Sequence, residues 1–247
     1  MIRLITYFRT SIGCIDPWLV VAASLGAGLR FSRLGDYENH YYTATVASML
    51  QSWHNFMFAS FDPLGFVMVD KPPASFWVET IPAAIFGVSA WSVSLPQAIM
   101  GTIAIILLYV AIKPAFGRIA ATASALTLAV IPVSVIIDSR NEPDSLVAFA
   151  LLCSALSLIL AVKTRKWRWL VLFSVMMGVG FNAKMLVAFV AAPAFLLYYI
   201  ASANHKRTSV ILRVAVTTFL TLILSLSWVV LIALTPNEDR PYVGSTS

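Results

Sequence analysis

Residues 94–137 read SLPQAIMGTIAIILLYVAIKPAFGRIAATASALTLAVIPVSVII, and only Lys113 and Arg118 carry charge in that run. An α-helix rises 1.5 Å per residue, so about 20 apolar residues cross the ~30 Å hydrocarbon core of a bilayer. The stretch therefore reads as two spans, 94–112 and 119–137, joined by a short basic turn. Working outward, residues 145–162, 185–201 and 210–234 have the same character. Two weaker candidates complete the set. Residues 18–29 are short unless their helix begins near Ile12, and 169–181 are barely long enough and contain Gly178 and Gly180. The expected fold class is all-α, a polytopic membrane helical bundle of about seven transmembrane helices.

Composition agrees. Of 247 residues 60% are hydrophobic and 11% charged, with a mean hydropathy of +0.85. A water-soluble domain is nearer a quarter charged, so a soluble globule is excluded, and with it a disordered chain. The two cysteines, Cys14 and Cys153, lie in or beside apolar runs and read as small hydrophobes, not as a disulfide framework. The net charge of +6 does not point to nucleic acid, because the charges fall between spans.

Their placement sets orientation. With a cytoplasmic N-terminus the inner segments hold Arg3, Arg9, Lys113, Arg118, Lys163, Arg165, Lys166, Arg168, Lys206, Arg207 and Arg213, eleven of 17 cations, as the positive-inside rule requires. Ten of the eleven carboxylates, Asp36, Glu38, Asp62, Asp70, Glu79, Asp138, Glu142, Asp144, Glu238 and Asp239, then fall outside. Acids contribute little to insertion, so this one-sidedness suggests a working outer face. The N-terminus also has the outline of a secretory signal, but six downstream apolar segments favour an uncleaved first span.

The first outer loop, about 31–93, is neither polar linker nor span. Tyr42, Val46, Met49, Leu50 and Trp53 recur at helical spacing, with Thr43, Ser48 and Gln51 elsewhere, predicting an interfacial helix over 39–53. A second begins at Pro72 and ends near Gly87; proline suits a first helical turn. Phe58, Phe61, Phe66, Trp77 and Trp91 are expected as headgroup-level anchors. The sequence has no internal repeat, Walker loop, paired-glycine dinucleotide loop, CxxC or HExxH motif.

Polar clusters on the outer side carry the candidate chemistry. They are Asp36-Tyr37-Glu38-Asn39-His40-Tyr41-Tyr42, Asp70-Lys71-Pro72-Pro73, Asp138-Ser139-Arg140-Asn141-Glu142-Pro143-Asp144 and Asn182-Ala183-Lys184. A carboxylate at the membrane surface can act as general base toward an acceptor hydroxyl or amine. Lys71, Arg140 and Lys184 can hold an anion, and a helix N-terminus adds partial positive charge beside Lys71. That combination suits a phosphate leaving group on a lipid-linked substrate. Plainer roles compete: Asp36 or Glu38 as an N-cap, Lys71 snorkelling or paired with Asp70, and Arg140 in a loop ion pair with Glu142 or Asp144. His40 and His54 read as interfacial polar residues; no metal site or cofactor is predicted.

The tracts ENHYYTATVASM, SWHNFMFASFDPLGFVMVDKPP, SRNEPDS and GFNAKM resemble bacterial membrane glycosyltransferases of family 39. These are relatives of dolichyl-phosphate-mannose protein mannosyltransferases and of the lipid A aminoarabinose transferase, with the GT-C fold. The resemblance implies an inverting transfer of a sugar from a polyprenyl-phosphate donor to a protein, glycan or lipid acceptor. An acid of the first outer loop would be the base and the KPP lysine, Lys71, would sit near the donor phosphate. Matching YYTATVASM without gaps puts Glu38 and Asn39 where many relatives have Asp-Glu, which makes Glu38 the base and Asp36 its rival. Asp144 occupies the second acidic position, and Asp70, Arg140, Asn39, Tyr42 and Lys184 complete the expected substrate contacts. The resemblance implies a multi-pass cell-membrane protein with an external active face. It covers the N-terminal half of the family, whose further spans and outer domain lie beyond residue 247 or on a second polypeptide. The alternative is a non-catalytic or truncated subunit that binds an anionic lipid.

Overall fold

The structure is a computed structural model that describes residues 16–204 and 206–242. Arg3, Arg9, Ile12 and Cys14 lie outside the described residues. The described chain forms α1 (Pro17–Phe31), α2 (His40–Met49), α3 (Trp53–Phe58), α4 (Ala74–Phe86), α5 (Ala90–Val130), α6 (Pro132–Asp138), α7 (Pro143–Thr164), α8 (Trp167–Lys184), a 3-10 helix (Met185–Ala191), α9 (Ala192–Ser202) and α10 (Arg207–Leu234). Among the described residues four helical runs are long and apolar enough to cross a membrane: Ala90–Val130, Pro143–Thr164, Trp167–Ser202 and Arg207–Leu234. α1 and α4 are shorter apolar helices.

Two of those four runs double back. In α5 the backbone leaves helical angles at Gly117 (φ 82°, ψ 177°), a conformation open to glycine and strained for other residues. Its two arms then run antiparallel, and Gly26 of α1 lies against Ile105 of one and Ala129 of the other. The expected spans 94–112 and 119–137 are thus the arms of one folded-back helix, the second continued by α6. Ile131 is extended before Pro132, which removes the N–H that would carry α5 straight into α6. The other run reverses at Met185 (φ 47°). The ring pairs Phe181–Phe189 (5.2 Å) and Phe173–Phe195 (5.6 Å) then step along α8 in opposite directions.

Small residues set the packing. Ala121, Ala125 and Ala129 recur every four residues and meet Leu19, Ala22, Ile105 and Tyr109 in one buried cluster, the close approach by which helices associate in lipid. At the start of α1 Asp16 caps the helix, accepts from the Tyr109 hydroxyl (2.6 Å) and pairs with Arg118. α10 runs parallel to α8: Ser174 Oγ donates to Thr217 O (3.1 Å) and Asn182 Nδ2 to Leu224 O (3.0 Å).

The outer loop folds as a cap built on Tyr42, Val46, Met49, Val69, Phe76 and Val93. Several expectations change there. The first interfacial helix stops at Met49, and Trp53 opens a separate helix capped by Ser52. Leu50 and Trp53 consequently turn outward, whereas Ser48 is buried and donates to Asp62 O (2.8 Å). Phe58 is no anchor; it is buried with Met68, Trp228 and Ile232, where α10 reaches the cap. The second helix ends as expected, with Gly87 at its C-cap, but it begins at Ala74: Pro73 is its N-cap and Pro72 precedes it.

Candidate functional site

The first outer tract is steered by Gly35, whose φ is +87° and where a Cβ would lie 2.9 Å from the backbone of Ala90 and Trp91. Its N–H donates to Ser139 O (3.0 Å), tying the loop to the SRNEPD turn. Asn39 caps α2 by accepting from Tyr41 N (3.2 Å). Neither Asp36 nor Glu38 is the cap, so the plain reading of both fails. The Glu38 carboxylate lies 3.5 Å from His40 Nδ1 and is 18% exposed. Asp36 is solvent-exposed.

The SRNEPD turn grips this tract. The buried Asn141 accepts from Asn39 N–H (2.8 Å) and donates to Asn39 O (3.1 Å) and Thr43 Oγ1 (3.0 Å). Asn39 Nδ2 donates to Glu142 Oε1 (3.2 Å), the oxygen that also receives Arg140. Arg140 therefore sits in a loop ion pair, with Glu142 as its partner.

In the DKPP tract Lys71 pairs with Asp70. Burial, reinforced by the charges of Asp70 and Glu142, holds the Tyr42 hydroxyl well above the usual phenol range. Tyr42 packs edge-on against Phe76 of α4 (5.1 Å between ring centroids), just past the DKPP tract. No side chain caps the start of α4, and its first turn, Ala74 to Phe76, is buried.

Lys184 donates to both oxygens of Asp144, each at 2.7 Å. Ala74, Met100, Leu146, Val147 and Ala183 share one apolar cluster, which sets the starts of α4 and α7 beside the end of α8. Asn182 turns away, donating to Gly178 O (2.9 Å) and Leu224 O.

Two outer acids do not belong to this face. Glu79 is fully buried under α4, where its Oε1 accepts from Ser75 Oγ (2.9 Å) and Gln97 Nε2 (2.7 Å). Burial holds its carboxyl well above the carboxylate range. Asp138 is buried and paired with Arg30 (2.9 Å). Sequence reasoning missed Arg30, and it gave Asn141 and Tyr41, which stand inside its polar clusters, no role of their own. For Arg30 the signal was a lone cation at the end of an apolar run, opposite a lone acid at the end of another.

Two apolar hollows lie elsewhere. One of about 560 Å³ runs between α3 and α4 past Phe56, Trp77 and Ile81. The other, about 490 Å³, lies inside the bundle between Phe173, Phe189, Tyr199 and Thr221. Neither is lined by Glu38, Asp36, Lys71 or Asp144. Among the described residues no three His, Cys, Asp or Glu side chains converge to hold a metal ion.

Residues 70–231 match the family model described as dolichyl-phosphate-mannose-protein mannosyltransferase, more than half of the chain. The chain belongs to that mannosyltransferase family. Two candidate mannosyltransferases of Bacillus subtilis (strain 168), YkcB and YycA, are 43% and 44% identical to it over 211 residues. Those residues are 85% of this chain but 30% and 31% of theirs, so the chain spans under a third of the curated relatives it matches. The apo crystal structure of ArnT from Cupriavidus metallidurans superposes with a TM-score of 0.72 at 21% identity, over 94% of this chain and 44% of that one. The archaeal oligosaccharyltransferase AglB from Archaeoglobus fulgidus, solved with an inhibitory peptide and a dolichol-phosphate, gives 0.61 at 20% identity, over 85% of this chain and 29% of that one. This mannosyltransferase-family chain is a multi-pass membrane protein with the GT-C fold.

Proposed function

We propose that this chain is the N-terminal part of a membrane glycosyltransferase that moves a sugar, with inversion, from a polyprenyl-phosphate donor to an acceptor on the outer face. Counting each arm of the doubled-back helices as a crossing gives seven spans, with the N-terminus cytoplasmic and the loop of 31–93 external. Glu38 is the general base: it flanks the N-cap Asn39 without being used as a cap, and most of its side chain is sheltered. Asp36, exposed, is the weaker candidate.

The donor phosphate is received by Lys71, two residues before the N-cap of α4. Asp70 releases Lys71 to the phosphate, while Arg140 and Lys184 contribute positive field from the two neighbouring turns. Asp144 orients Lys184. The single observation that carries this reading is the pinning of the first-loop tract onto the SRNEPD turn through Asn39 and Asn141, with Tyr42 packed on Phe76 just past the DKPP tract.

The test is transfer of radiolabelled sugar from a polyprenyl-phosphate donor in membranes with and without the chain, alone and co-expressed with the downstream part of a full-length relative. Chain-dependent incorporation in either setting supports the reading. Donor binding without incorporation in both settings favours a non-catalytic subunit that holds an anionic lipid. Sugar, acceptor and any second polypeptide are identified by the products of the same assay.

A further inference from the structure

Arg30 is fully buried at the outer end of α1, and each of its N–H directions meets an acceptor. Nε donates to Asp138 Oδ2 (2.9 Å), Nη1 to Gly26 O (3.1 Å) and Ala129 O (3.2 Å), and Nη2 to Leu128 O (3.1 Å) and Ser134 Oγ (2.8 Å). The Leu128 carbonyl lost its helical donor because residue 132 is proline, and a carbonyl left open at membrane depth is costly. Arg30 supplies that donor from the neighbouring helix.

The pair then reaches both candidate acids. Asp138 Oδ1 accepts from Ser145 Oγ (2.7 Å), the residue after Asp144. The Arg30 carbonyl accepts from Ser139 Oγ (3.2 Å), Ser139 O accepts from Gly35 N–H (3.0 Å), and Gly35 O accepts from Glu38 N–H (3.3 Å). The loop that carries Glu38 thus hangs on the backbone carbonyl of Arg30 and on Ser139, which follows Asp138, while the helix start that carries Asp144 hangs on the Asp138 carboxylate. Gly101 makes the space: a Cβ there would lie 2.3 Å from Asp138 Oδ2.

We infer that Arg30, with Asp138, is a positioning residue that fixes the spacing between Glu38 and Asp144 on the outer face. This rests on the glycosyltransfer reading for its catalytic consequence, though not for its geometry. A plain structural staple would hold the bundle together without setting that spacing.

The experiment uses the full chain with Arg30→Lys, which keeps the charge but cannot reach all five acceptors, and with the milder Ser134→Ala. Amide exchange is followed at Gly35 and Asn39, whose N–H groups dock the loop onto the turn. In Arg30→Lys both amides are expected to exchange at least tenfold faster while those of α7 and α8 keep their rates; Ser134→Ala shifts the same two amides by less. In the transfer assay kcat falls roughly a hundredfold at unchanged donor KM, the scale of an ångström-level misplacement. Unchanged rates at Gly35 and Asn39, or acceleration spread over the whole bundle, overturn the inference. If Arg30→Lys does not fold, the Ser134→Ala rates decide. A wild-type chain that transfers no sugar either alone or with the downstream part removes the glycosyltransfer reading but leaves the exchange result to judge Arg30.

Discussion

Asn39 and Asn141, 102 positions apart, exchange hydrogen bonds in both directions: Asn39 N–H to Asn141 Oδ1 at 2.8 Å and Asn141 Nδ2 to Asn39 O at 3.1 Å. A side-chain amide thus imitates a backbone partner and docks the start of α2 onto the turn before α7. Asn141 is fully buried, so the arrangement leaves its amide no water to fall back on.

Replacing Asn141 with Leu keeps the volume and removes the docking. The Asn39 N–H is then buried without an acceptor, and the cost is about 1–3 kcal/mol. Thermal unfolding of purified protein in detergent is expected to show that loss, with Asn182→Leu as a comparison that disturbs the α8–α10 contact instead of the outer face.

Gly101 and Gly26 separate two kinds of close contact. A Cβ at Gly101 meets Asp138 and Arg30 Nε (2.7 Å), both locked by hydrogen bonds, whereas a Cβ at Gly26 first meets the flexible end of Ile105. Gly101→Ala is therefore expected to cost about 1–3 kcal/mol and Gly26→Ala less. Unfolding midpoints of the two variants check the order.

Glu79 gives the fold a pH dependence. Its carboxyl is raised in the folded state by burial, against its hydrogen bonds from Ser75 and Gln97. The folded chain holds that proton more tightly than the unfolded chain. The stability this confers is complete below the ordinary glutamate pKa and is lost as pH rises through the raised folded value. Glu79→Gln is expected to flatten that decline and to be the more stable protein at its alkaline end, as read from unfolding midpoints across the window.

How much of this the sequence carried differs element by element. The run 94–137 announced membrane helices because hydropathy and length are local properties, and Pro72-Pro73 with Gly87 marked the limits of α4 for the same reason. The reversal at Gly117 was hidden, since the apolar pattern continues on both sides of it. Leu50 and Trp53 kept helical spacing with Tyr42 and Val46, yet the chain breaks after Met49 and sends them outward. Glu79 and Asp138 were placed with the outer acids because their burial depends on Gln97 and Arg30, partners 18 and 108 positions away. Candidate residues were visible as types; which of them meet was a question of tertiary neighbours.

Lys71→Met tests the donor site. With its cation removed the DKPP tract has no positive charge to offer an anion, and Asp70 is left without its ion-pair partner. Binding of a polyprenyl phosphate is expected to weaken roughly tenfold to a hundredfold, measured by displacement of a labelled lipid phosphate. Leu50→Ala, in the hollow between α3 and α4, is the control for general lipid contact.

The central claim is that Glu38 takes the acceptor's proton. Sugar transfer from a polyprenyl-phosphate donor should be compared for the wild-type chain, Glu38→Gln and Asp36→Asn, in the membrane setting in which the wild type is active. The account predicts that Glu38→Gln loses roughly 10²–10⁴-fold in turnover while still binding donor, and that Asp36→Asn stays close to wild type. Glu38→Gln turning over at the wild-type rate would contradict it.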